Sequence, residues 1–169
     1  YKVIDCDKIS HEIMEDEDVI SAIEDIFGNE VIIDGKVNRK ALGEMIFNSQ
    51  TDQIKLNNLI HPLVLCEVEE RLNSLHEDIV FVDCPLLYEA KMDLIMDKVI
   101  VVYINGDLQI QRLMKRDNIS RDYALKKINS QLLISEKAEL ADYLINNESE
   151  FESTNQQLLD IIRRIRNEI

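Results

Sequence analysis

The chain has 169 residues, of which 46% are hydrophobic, with only 4 Gly and 2 Pro, so it is long enough to bury a core and has little room for linkers. Its formal net charge of −14 argues against nonspecific binding to nucleic acid or anionic membranes, because the summed field repels phosphate. The longest apolar run, around Val99 to Ile104, is far below the roughly 20 residues that cross a bilayer, and no signal peptide pattern opens the sequence. We therefore expect a cytoplasmic α/β protein with a small appended subdomain.

The first predicted element is a short buried strand, KVIDCD (residues 2–7), followed by a helical segment from Lys8 to about Glu15. Asp5 and Asp7 project to the same side if the chain stays extended as far as the second acid. Ligands of open α/β sheets bind beyond the carboxyl ends of the strands, where a carboxylate can orient a hydroxyl for phosphoryl transfer. The alternative interpretation makes Asp7 only the N-cap of the helix that follows.

The next region is predicted to be largely helical, with one hairpin-like turn. In order, it holds a helix from Val19 to Phe27 that stops at Gly28, an extended piece that turns at Asp34-Gly35, a helix from Arg39 to Phe47 with Asn38 as its cap, and a helix that begins after Ser49 or Thr51.

The dipeptide His61-Pro62 is predicted to divide this last helical segment. Because Pro lacks an amide hydrogen and is favoured in the first turn of a helix, we expect one helix to end near Ile60 and another to start at Pro62. His61 would then lie at a helix junction, either as a packed side chain or as a functional group.

Three further strands are predicted from apolar and β-branched runs. They are IVFVDCP (residues 79–85), KVIVVYI (residues 98–104) and Tyr143 to Ile145. Asp83 ends the first of these strands, where a carboxylate either positions a metal ion near a nucleotide or serves only as a turn residue. Strands that alternate with helices imply a mostly parallel sheet covered by helices.

The segment from Asp107 to Lys137 carries an excess of positive charge in an otherwise acidic chain. Seven Lys and Arg side chains against four Asp and Glu side chains leave it a net charge of +3. Such a segment is either a solvated helix face or a device that holds an anionic substrate. Helices are predicted here and beyond, at residues 107–116, 120–131, 135–141 and about 154–169.

The three cysteines do not form a metal-binding pattern. Cys6, Cys66 and Cys84 have no CxxC spacing and no His at metal-ligand spacing. We expect them to be small buried side chains or free thiols.

Six segments, in the same order, resemble the dephospho-coenzyme A kinase family along nearly the whole chain. VIDCDKISHEI resembles the family's VIDADxIAR segment, LGEMIFN its LGxIVF stretch, and LIHPLV its LLHPLI motif. Further along, VDCPLLYE resembles its DIPLLFE strand end, LQIQRLMKRD its QLERLMKRD helix, and ADYLINN its ADYVIDN ending. Each segment alone is weak evidence for membership of the family, but six matching segments in the same order are specific to it.

The resemblance implies a P-loop NTPase-like three-layer α/β sandwich with a mostly parallel sheet, a helical substrate-binding insertion and a lid. Residues 1–18, 79–106 and 142–169 would form the nucleotide-kinase core, 19–78 the insertion for coenzyme A, and 107–141 the lid. The implied activity is ATP-dependent phosphorylation of the 3′-hydroxyl of dephospho-coenzyme A, the last step of coenzyme A synthesis, with ATP and Mg²⁺ required.

The resemblance also implies roles for individual residues. Asp7 would be the catalytic carboxylate that receives or orients the 3′-hydroxyl, and Asp83 would lie beside the Mg-phosphate centre. The substrate would contact a set of residues near these carboxylates, namely Asp5, Asp7, His61, Pro85 and Leu86. ATP and its phosphates would contact Arg112, Arg116, Lys137 as the lid cation, and Asn147 near the adenine.

The chain departs from the family pattern at several places. Leu132-Leu133 replaces a common Met-Pro pair in the lid, Asn146 replaces the Asp of the IDN ending, and His11 replaces an Arg. The Gly-rich GxxxxGK[ST] loop that cradles phosphates in the family is not among these residues, so we expect further residues upstream of Tyr1 and expect these residues alone to be inactive.

Two alternatives to this function stay open. A related nucleoside or nucleotide monophosphate kinase would share the sheet, the lid and the aspartate at a strand end. A non-catalytic member would only bind a ligand or a partner protein.

Overall fold

A computed structural model describes residues 1–168, which fall into two units, Tyr1–Ala90 and the part of the chain from Lys91 onward. The strands are β1 (Lys2–Asp5), β2 (Ile32–Ile33), β3 (Lys36–Val37), β4 (Val80–Asp83), β5 (Ile100–Tyr103) and β6 (Tyr143–Asn146). The α-helices are α1 (Cys6–Ile13), α2 (Glu17–Phe27), α3 (Arg39–Asn48), α4 (Gln50–Ser74), α5 (Gly106–Asp117), α6 (Arg121–Asn129), α7 (Ile134–Leu140) and α8 (Phe151–Glu168). None of these helices is both long enough and apolar enough to cross a membrane.

The strands predicted from apolar runs are present as two parallel pairs, one in each unit. The predicted burial is wrong for the first pair, because Val3 of β1 is 62% exposed and no residue of β4 is fully buried. β1 pairs with β4 so that Asp5 lies opposite Asp83. β5 pairs with β6 so that Tyr103 lies opposite Asn146. Parallel pairing is the expected result when helices separate the two strands in the chain, because parallel neighbours need a crossover connection. The division into core, insertion and lid stays a prediction.

The chain becomes helical sooner after the first strand than predicted. β1 ends at Asp5 and α1 begins at Cys6, so Asp7 lies in the first helical turn and the extended arrangement of the two acids is wrong. The N-cap is Asp5, whose Oδ1 accepts the amide of Lys8 at 3.0 Å, and not Asp7. A carboxylate at this position satisfies an amide that has no acceptor within the helix.

α2 buries one stripe of its surface, as its sequence pattern predicts. Val19, Ile23 and Phe27 recur every four residues and are 9%, 0% and 5% exposed. This spacing is the one expected of a helix that packs on one side. Gly28 ends the helix at a φ of 86°, in the left-handed region that favours glycine.

The predicted turn at Asp34-Gly35 is confirmed as a tight hairpin between β2 and β3. Both turn residues have positive φ, 51° for Asp34 and 71° for Gly35. Two central residues in the left-handed region are what a two-residue hairpin of matching twist requires, and Asp-Gly is a preferred pair for it.

The predicted helix break at His61-Pro62 is wrong, because α4 is one continuous helix through both residues. Pro62 removes the amide that would bond to the carbonyl of Asn58, a local cost that favours a break. Burial of the apolar face of α4 against α1 offsets this cost. A row of three buried side chains forms that face: Ile60, Val64 and Val68. His61 therefore lies in mid-helix and not at a junction.

An ion-pair cluster at the end of α4 also joins it to α1. The Arg71 guanidinium lies 2.6 Å from the Glu12 carboxylate through Nη2 and 2.7 Å from the Glu67 carboxylate through Nε. Glu12 belongs to α1 and Glu67 to α4. The two carboxylates thus fix the guanidinium at the junction of the helices.

In the second unit, the side chain of Gln157 joins α8 to the end of β6. Its amide group bonds to both the N–H and the C=O of one strand residue, as the backbone of a neighbouring strand would. Gln157 Oε1 accepts the Asn146 amide at 2.9 Å, and Gln157 Nε2 donates to the Asn146 carbonyl at 3.0 Å. The helix begins at Phe151, earlier than the predicted start near Thr154. Its predicted last residue, Ile169, lies outside the described residues.

The helices predicted between β5 and β6 are confirmed, with small shifts at their ends. They are α5, α6 and α7 in place of the predicted segments 107–116, 120–131 and 135–141. Asp117 holds the corner between α5 and α6, because its carboxylate accepts from Arg116 Nε and from Lys127 Nζ, each at 2.8 Å.

Replacing Ile23 of α2 by Ala should lower the free energy of unfolding by about 2–4 kcal/mol, because the change removes buried apolar volume and leaves a cavity. Urea unfolding followed by circular dichroism measures the loss. Ile26→Ala on the same helix is the matched control, since Ile26 is 38% exposed where Ile23 is 0% exposed. We expect the control to lose less than about 1 kcal/mol. Equal losses in the two variants would contradict the assignment of the buried stripe.

Candidate functional site

The carboxyl ends of β1 and β4 bring together the predicted acidic residues of the first unit. Asp5 and Asp83 are partners at the last position of the ladder, and Asp7 follows in the first turn of α1. The Asp5 carboxylate is occupied by Lys8, through its amide at 3.0 Å and its ammonium at 3.5 Å. These contacts, the amide first, lower the pKa of Asp5. Asp7 and Asp83 are exposed and present their carboxylates to solvent.

Two thiols lie beside these carboxylates. Cys6 follows Asp5, Cys84 follows Asp83, and the two thiols are close enough for a hydrogen bond between them. This hydrogen bond and burial raise the pKa of Cys6, and the same hydrogen bond lowers the pKa of Cys84. The negative charges of Asp7 and Asp83 raise the pKa of Cys6 further. Both carboxylates are therefore within electrostatic reach of the buried thiol.

Pro85 and Leu86 lie in the turn by which the chain leaves β4. The strand ends at Asp83, two residues before its predicted end at Pro85. Hydrogen bonds from the Leu87 amide to the Cys84 carbonyl, at 3.2 Å, and from the Ala90 amide to the Leu86 carbonyl, at 2.9 Å, shape the turn. Pro85 is exposed and Leu86 is half-buried, so both residues present apolar atoms directly after the strand end.

His61 is half-buried on α4 and is linked electrostatically to the strand ends through Glu89. Burial lowers the pKa of His61, because the imidazolium loses solvation, and the charge of Glu89 offsets part of this effect. Glu89 also acts on the Cys84 thiol. The Glu89 carboxylate is therefore within electrostatic reach of both the imidazole and the Cys84 thiol.

In the second unit, Arg112 and Asn147 are in direct contact at the end of β6. Arg112 Nη1 donates to the Asn147 carbonyl at 2.7 Å. The Asn147 amide donates to the Tyr103 carbonyl at 2.8 Å, and Thr154 Oγ1 donates to Asn147 Oδ1 at 3.2 Å. The backbone of Asn147 is thus bonded on both sides, and its side chain is held from α8.

Arg116 and Lys137 have different surroundings. Arg116 lies one helical turn after Arg112, its side chain is 75% exposed, and its Nε lies 2.8 Å from the Asp117 carboxylate. The Arg116 guanidinium and the Lys127 ammonium hold the pKa of Asp117 well below its usual range. Lys137 lies on α7 and is only 8% exposed, which is uncommon for a lysine. The residues predicted for the nucleotide side therefore comprise one contacting pair, one exposed guanidinium and one buried ammonium.

The donor set of the first unit suits a magnesium ion that is held mainly by phosphates. Within residues 1–168, no group of three or more His, Cys, Asp or Glu side chains is arranged to hold a metal ion by itself. Exposed carboxylates such as that of Asp83 are hard oxygen ligands, and Mg²⁺ in nucleotide sites commonly takes only one or two carboxylates together with phosphates and waters. The residues fit this kind of centre and not an all-protein cage.

Three features of the site have no counterpart among the predicted site residues. They are Glu89 near His61, Thr154 on Asn147, and the contact between the two thiols. The thiol contact depends on the pairing of strands that are far apart in the chain. Its sequence signal is that Cys6 and Cys84 each directly follow an aspartate at the end of a predicted strand, equivalent positions that parallel pairing places side by side.

Comparison with known sequences identifies similar proteins along almost the whole chain. The sequence model of the family described as dephospho-CoA kinase matches residues 1–153. A dephospho-CoA kinase of Listeria monocytogenes is 40% identical over 142 residues, which cover 82% of this chain and 71% of the relative. A dephospho-CoA kinase of Carboxydothermus hydrogenoformans is 36% identical over 169 residues, which cover 97% of this chain and 82% of the relative.

Solved structures share the fold. A dephospho-CoA kinase from Campylobacter jejuni has a TM-score of 0.70 and 30% sequence identity, with 100% of this chain and 87% of that chain covered. A crystal structure of a Thermus thermophilus protein has a TM-score of 0.80 and 24% identity, with 97% of this chain and 84% of that chain covered. The predicted P-loop NTPase-like α/β fold is confirmed by these similarities.

The stability of the protein should depend on pH through His61. Its pKa in the folded state lies below the ordinary value of 6.5, so the unfolded chain binds this proton more readily. The contribution of His61 to stability is therefore intact above that value and is lost as pH falls through the window between 6.5 and the lower folded pKa. Urea midpoints at about pH 7.5 and about pH 5.5 should show a larger loss in the parent than in His61→Gln.

The comparison of the two proteins isolates this one group, because every other titrating residue is the same in both. Equal losses in the parent and in His61→Gln would contradict a buried, neutral imidazole at this position.

Proposed function

The chain belongs to the dephospho-CoA kinase family, and we propose that it transfers the γ-phosphoryl group of ATP to the ribose 3′-hydroxyl of dephospho-coenzyme A. The 3′-oxygen forms a bond to phosphorus, the bond from phosphorus to the β,γ-bridging oxygen breaks, and coenzyme A and ADP result. The observation that carries this proposal is that Asp7 and Asp83 follow or end two strands of one parallel pair, within electrostatic reach of the same thiol.

Asp7 is the residue proposed to orient the 3′-hydroxyl and to receive its proton. Its carboxylate is exposed in the first turn of α1, directly after a strand end. Asp5 is less suited to this role because Lys8 already occupies its carboxylate. Phosphoryl transfer depends chiefly on the orientation of the nucleophile and on charge stabilisation, so a correctly placed carboxylate has a large effect.

Asp83 is proposed to hold Mg²⁺ indirectly, through bound water, beside the phosphates of ATP. It is exposed at the end of β4 and lies opposite the capping residue Asp5. When bound, Mg²⁺ neutralises negative charge on the phosphate oxygens and helps to orient them.

The wall of the substrate pocket is proposed to contain His61, Pro85 and Leu86, with Asp5 at its edge. Since burial lowers the pKa of His61, the imidazole is neutral near pH 7 and can both donate and accept a hydrogen bond. Pro85 and Leu86 present apolar atoms beside the strand end. This combination of a neutral polar ring with apolar surface suits an uncharged part of the coenzyme A precursor.

Arg112, Arg116 and Lys137 are proposed to contact the phosphates of ATP. Arg112 uses one N–H for the Asn147 carbonyl, and a guanidinium has five N–H donors, so others remain for a phosphate. Arg116 forms a surface ion pair with Asp117. If the Arg116 side chain turned towards a phosphate, Lys127 would still form an ion pair with Asp117. Cations at these positions stabilise the charge that spreads over the transferring group.

Asn147 is proposed to contact the adenine of ATP. Its Oδ1 accepts a hydrogen bond from Thr154. The side-chain nitrogen of Asn147 therefore points away from Thr154 and can donate to a ring nitrogen of the adenine. Dephospho-coenzyme A and ATP are thus the proposed small-molecule partners, in the cytoplasm, with no role for nucleic acid or membrane.

A direct assay of substrate preference tests the reaction. The full-length protein with ATP, Mg²⁺ and dephospho-coenzyme A should release ADP in a coupled assay, and kcat/KM for AMP should be lower by about 100-fold or more. If a nucleoside monophosphate were phosphorylated far faster than dephospho-coenzyme A, the proposed substrate would be wrong. If calorimetry showed that dephospho-coenzyme A binds but no ADP were released, the protein would have a binding function and not an enzymatic one.

Asp7→Asn should lower kcat by about 10²–10⁴-fold, because the amide cannot accept the proton of the hydroxyl. The urea midpoint should not change, since Asp7 is exposed and is not the cap of α1. Glu15→Gln is the matched control, an exposed carboxylate just beyond the same helix that should keep the parent kcat. A kcat for Asp7→Asn close to that of Glu15→Gln would remove Asp7 from the proposed mechanism.

A further inference from the structure

The ends of β1 and β4 hold two cysteines at equivalent positions. Cys6 directly follows Asp5, Cys84 directly follows Asp83, and the two aspartates are partners in a parallel ladder. Adjacent strands lie about 4.8 Å apart, inside the range of roughly 4.4–6.8 Å that separates the Cα atoms of a disulfide. The register places the two thiols side by side, close enough for a hydrogen bond between them, so the two side chains face each other.

The two thiols differ in their access to solvent. Cys6 begins α1 and is 5% exposed, whereas Cys84 is half-buried in the turn after β4. A small reagent can therefore meet the Cys84 sulfur first, and Cys6 is reached through Cys84. An accessible thiol with a second thiol beside it is the arrangement that resolves a mixed disulfide into an internal one.

We propose that Cys6 and Cys84 form a reversible disulfide, a modification site that goes beyond the proposed kinase activity. The oxidant is a small-molecule disulfide. The Cys84 sulfur attacks it, the S–S bond of the reagent breaks, and one small thiol leaves. The Cys6 sulfur then attacks Cys84, the protein S–S bond forms, and the second small thiol leaves. The two electrons and two protons lost by the protein end on the two small thiols.

The proposed disulfide between Cys6 and Cys84 would connect two segments that lie at the strand ends of the first unit. The new bond would join the first turn of α1 to the turn after β4, the two segments that carry Asp7 and Pro85. Both segments already lie side by side through the ladder of β1 and β4, so the bond can form without separating the strands.

Cys66 provides an internal comparison. It is exposed on α4, and its sulfur lies 3.9 Å from Glu70 Oε1. Because the other two cysteines of the chain contact each other, Cys66 can form only a mixed disulfide or a bond to another molecule. Cys66→Ser therefore removes this competing reaction and leaves the proposed pair intact.

The test treats full-length Cys66→Ser protein with glutathione disulfide, then denatures it in N-ethylmaleimide and measures the intact mass. We expect a loss of two hydrogen atoms, no uptake of maleimide, and a linked peptide that contains Cys6 and Cys84. Dithiothreitol should restore the uptake of two maleimides.

A second variant, Cys84→Ser in the Cys66→Ser background, keeps Cys6 as the single thiol of these 169 residues. It should take up one maleimide after the same treatment and form no internal bond, with a circular dichroism spectrum equal to that of the parent. Uptake of maleimide by both cysteines of oxidised Cys66→Ser protein, or a stable glutathione adduct on Cys84 in its place, would overturn the proposal. Mass is independent of turnover, so failure of this inference and failure of the proposed kinase activity give different results.

Discussion

The parallel register of β1 and β4 is the constraint on which the site of the first unit depends. With Asp5 opposite Asp83, the residues that follow the two strands share one edge of the sheet. A slip of one residue would turn every side chain of a strand to the other face and separate the residues that now meet. Asp5 completes the arrangement by capping α1, which turns the chain into a helix at once and leaves Asp7 exposed in its first turn.

The second unit applies the same principle with asparagines and an arginine at the strand ends, where the Glu148 carboxylate also accepts the Asn105 amide at 2.9 Å. Asn105 follows β5 and caps α5 by accepting the Leu108 amide at 3.0 Å. Asn147 follows β6, and Arg112 reaches its carbonyl from α5. Each parallel pair therefore ends in polar groups that start a helix and face a possible ligand. The two pairs differ in the polar groups at their ends, which are exposed aspartates in the first unit and asparagines with an arginine in the second.

Local patterns predicted the features that depend on neighbouring residues, such as the positions of the strands and the turn at Asp34-Gly35. The break at Pro62 was wrong because the local cost of a proline is outweighed by the burial of a whole helix face, which no short window of sequence contains. Asp5 and Asp7 were both placed at the right strand end, but the competition between them for the cap depends on where the helix starts. The contact between Cys6 and Cys84 and the electrostatic effect of Glu89 on His61 depend on how distant segments pair and pack. A single sequence does not determine strand register directly.

The bond pattern of Gln157 has a consequence for how this region can vary. Its amide pairs with the main chain of Asn146, both donor and acceptor, and not with the Asn146 side chain. The anchoring of β6 to α8 therefore does not depend on which residue stands at position 146, although it does depend on the glutamine. Evolution or redesign can thus change the residue at position 146, next to the candidate nucleotide contact Asn147, without giving up this attachment of the strand.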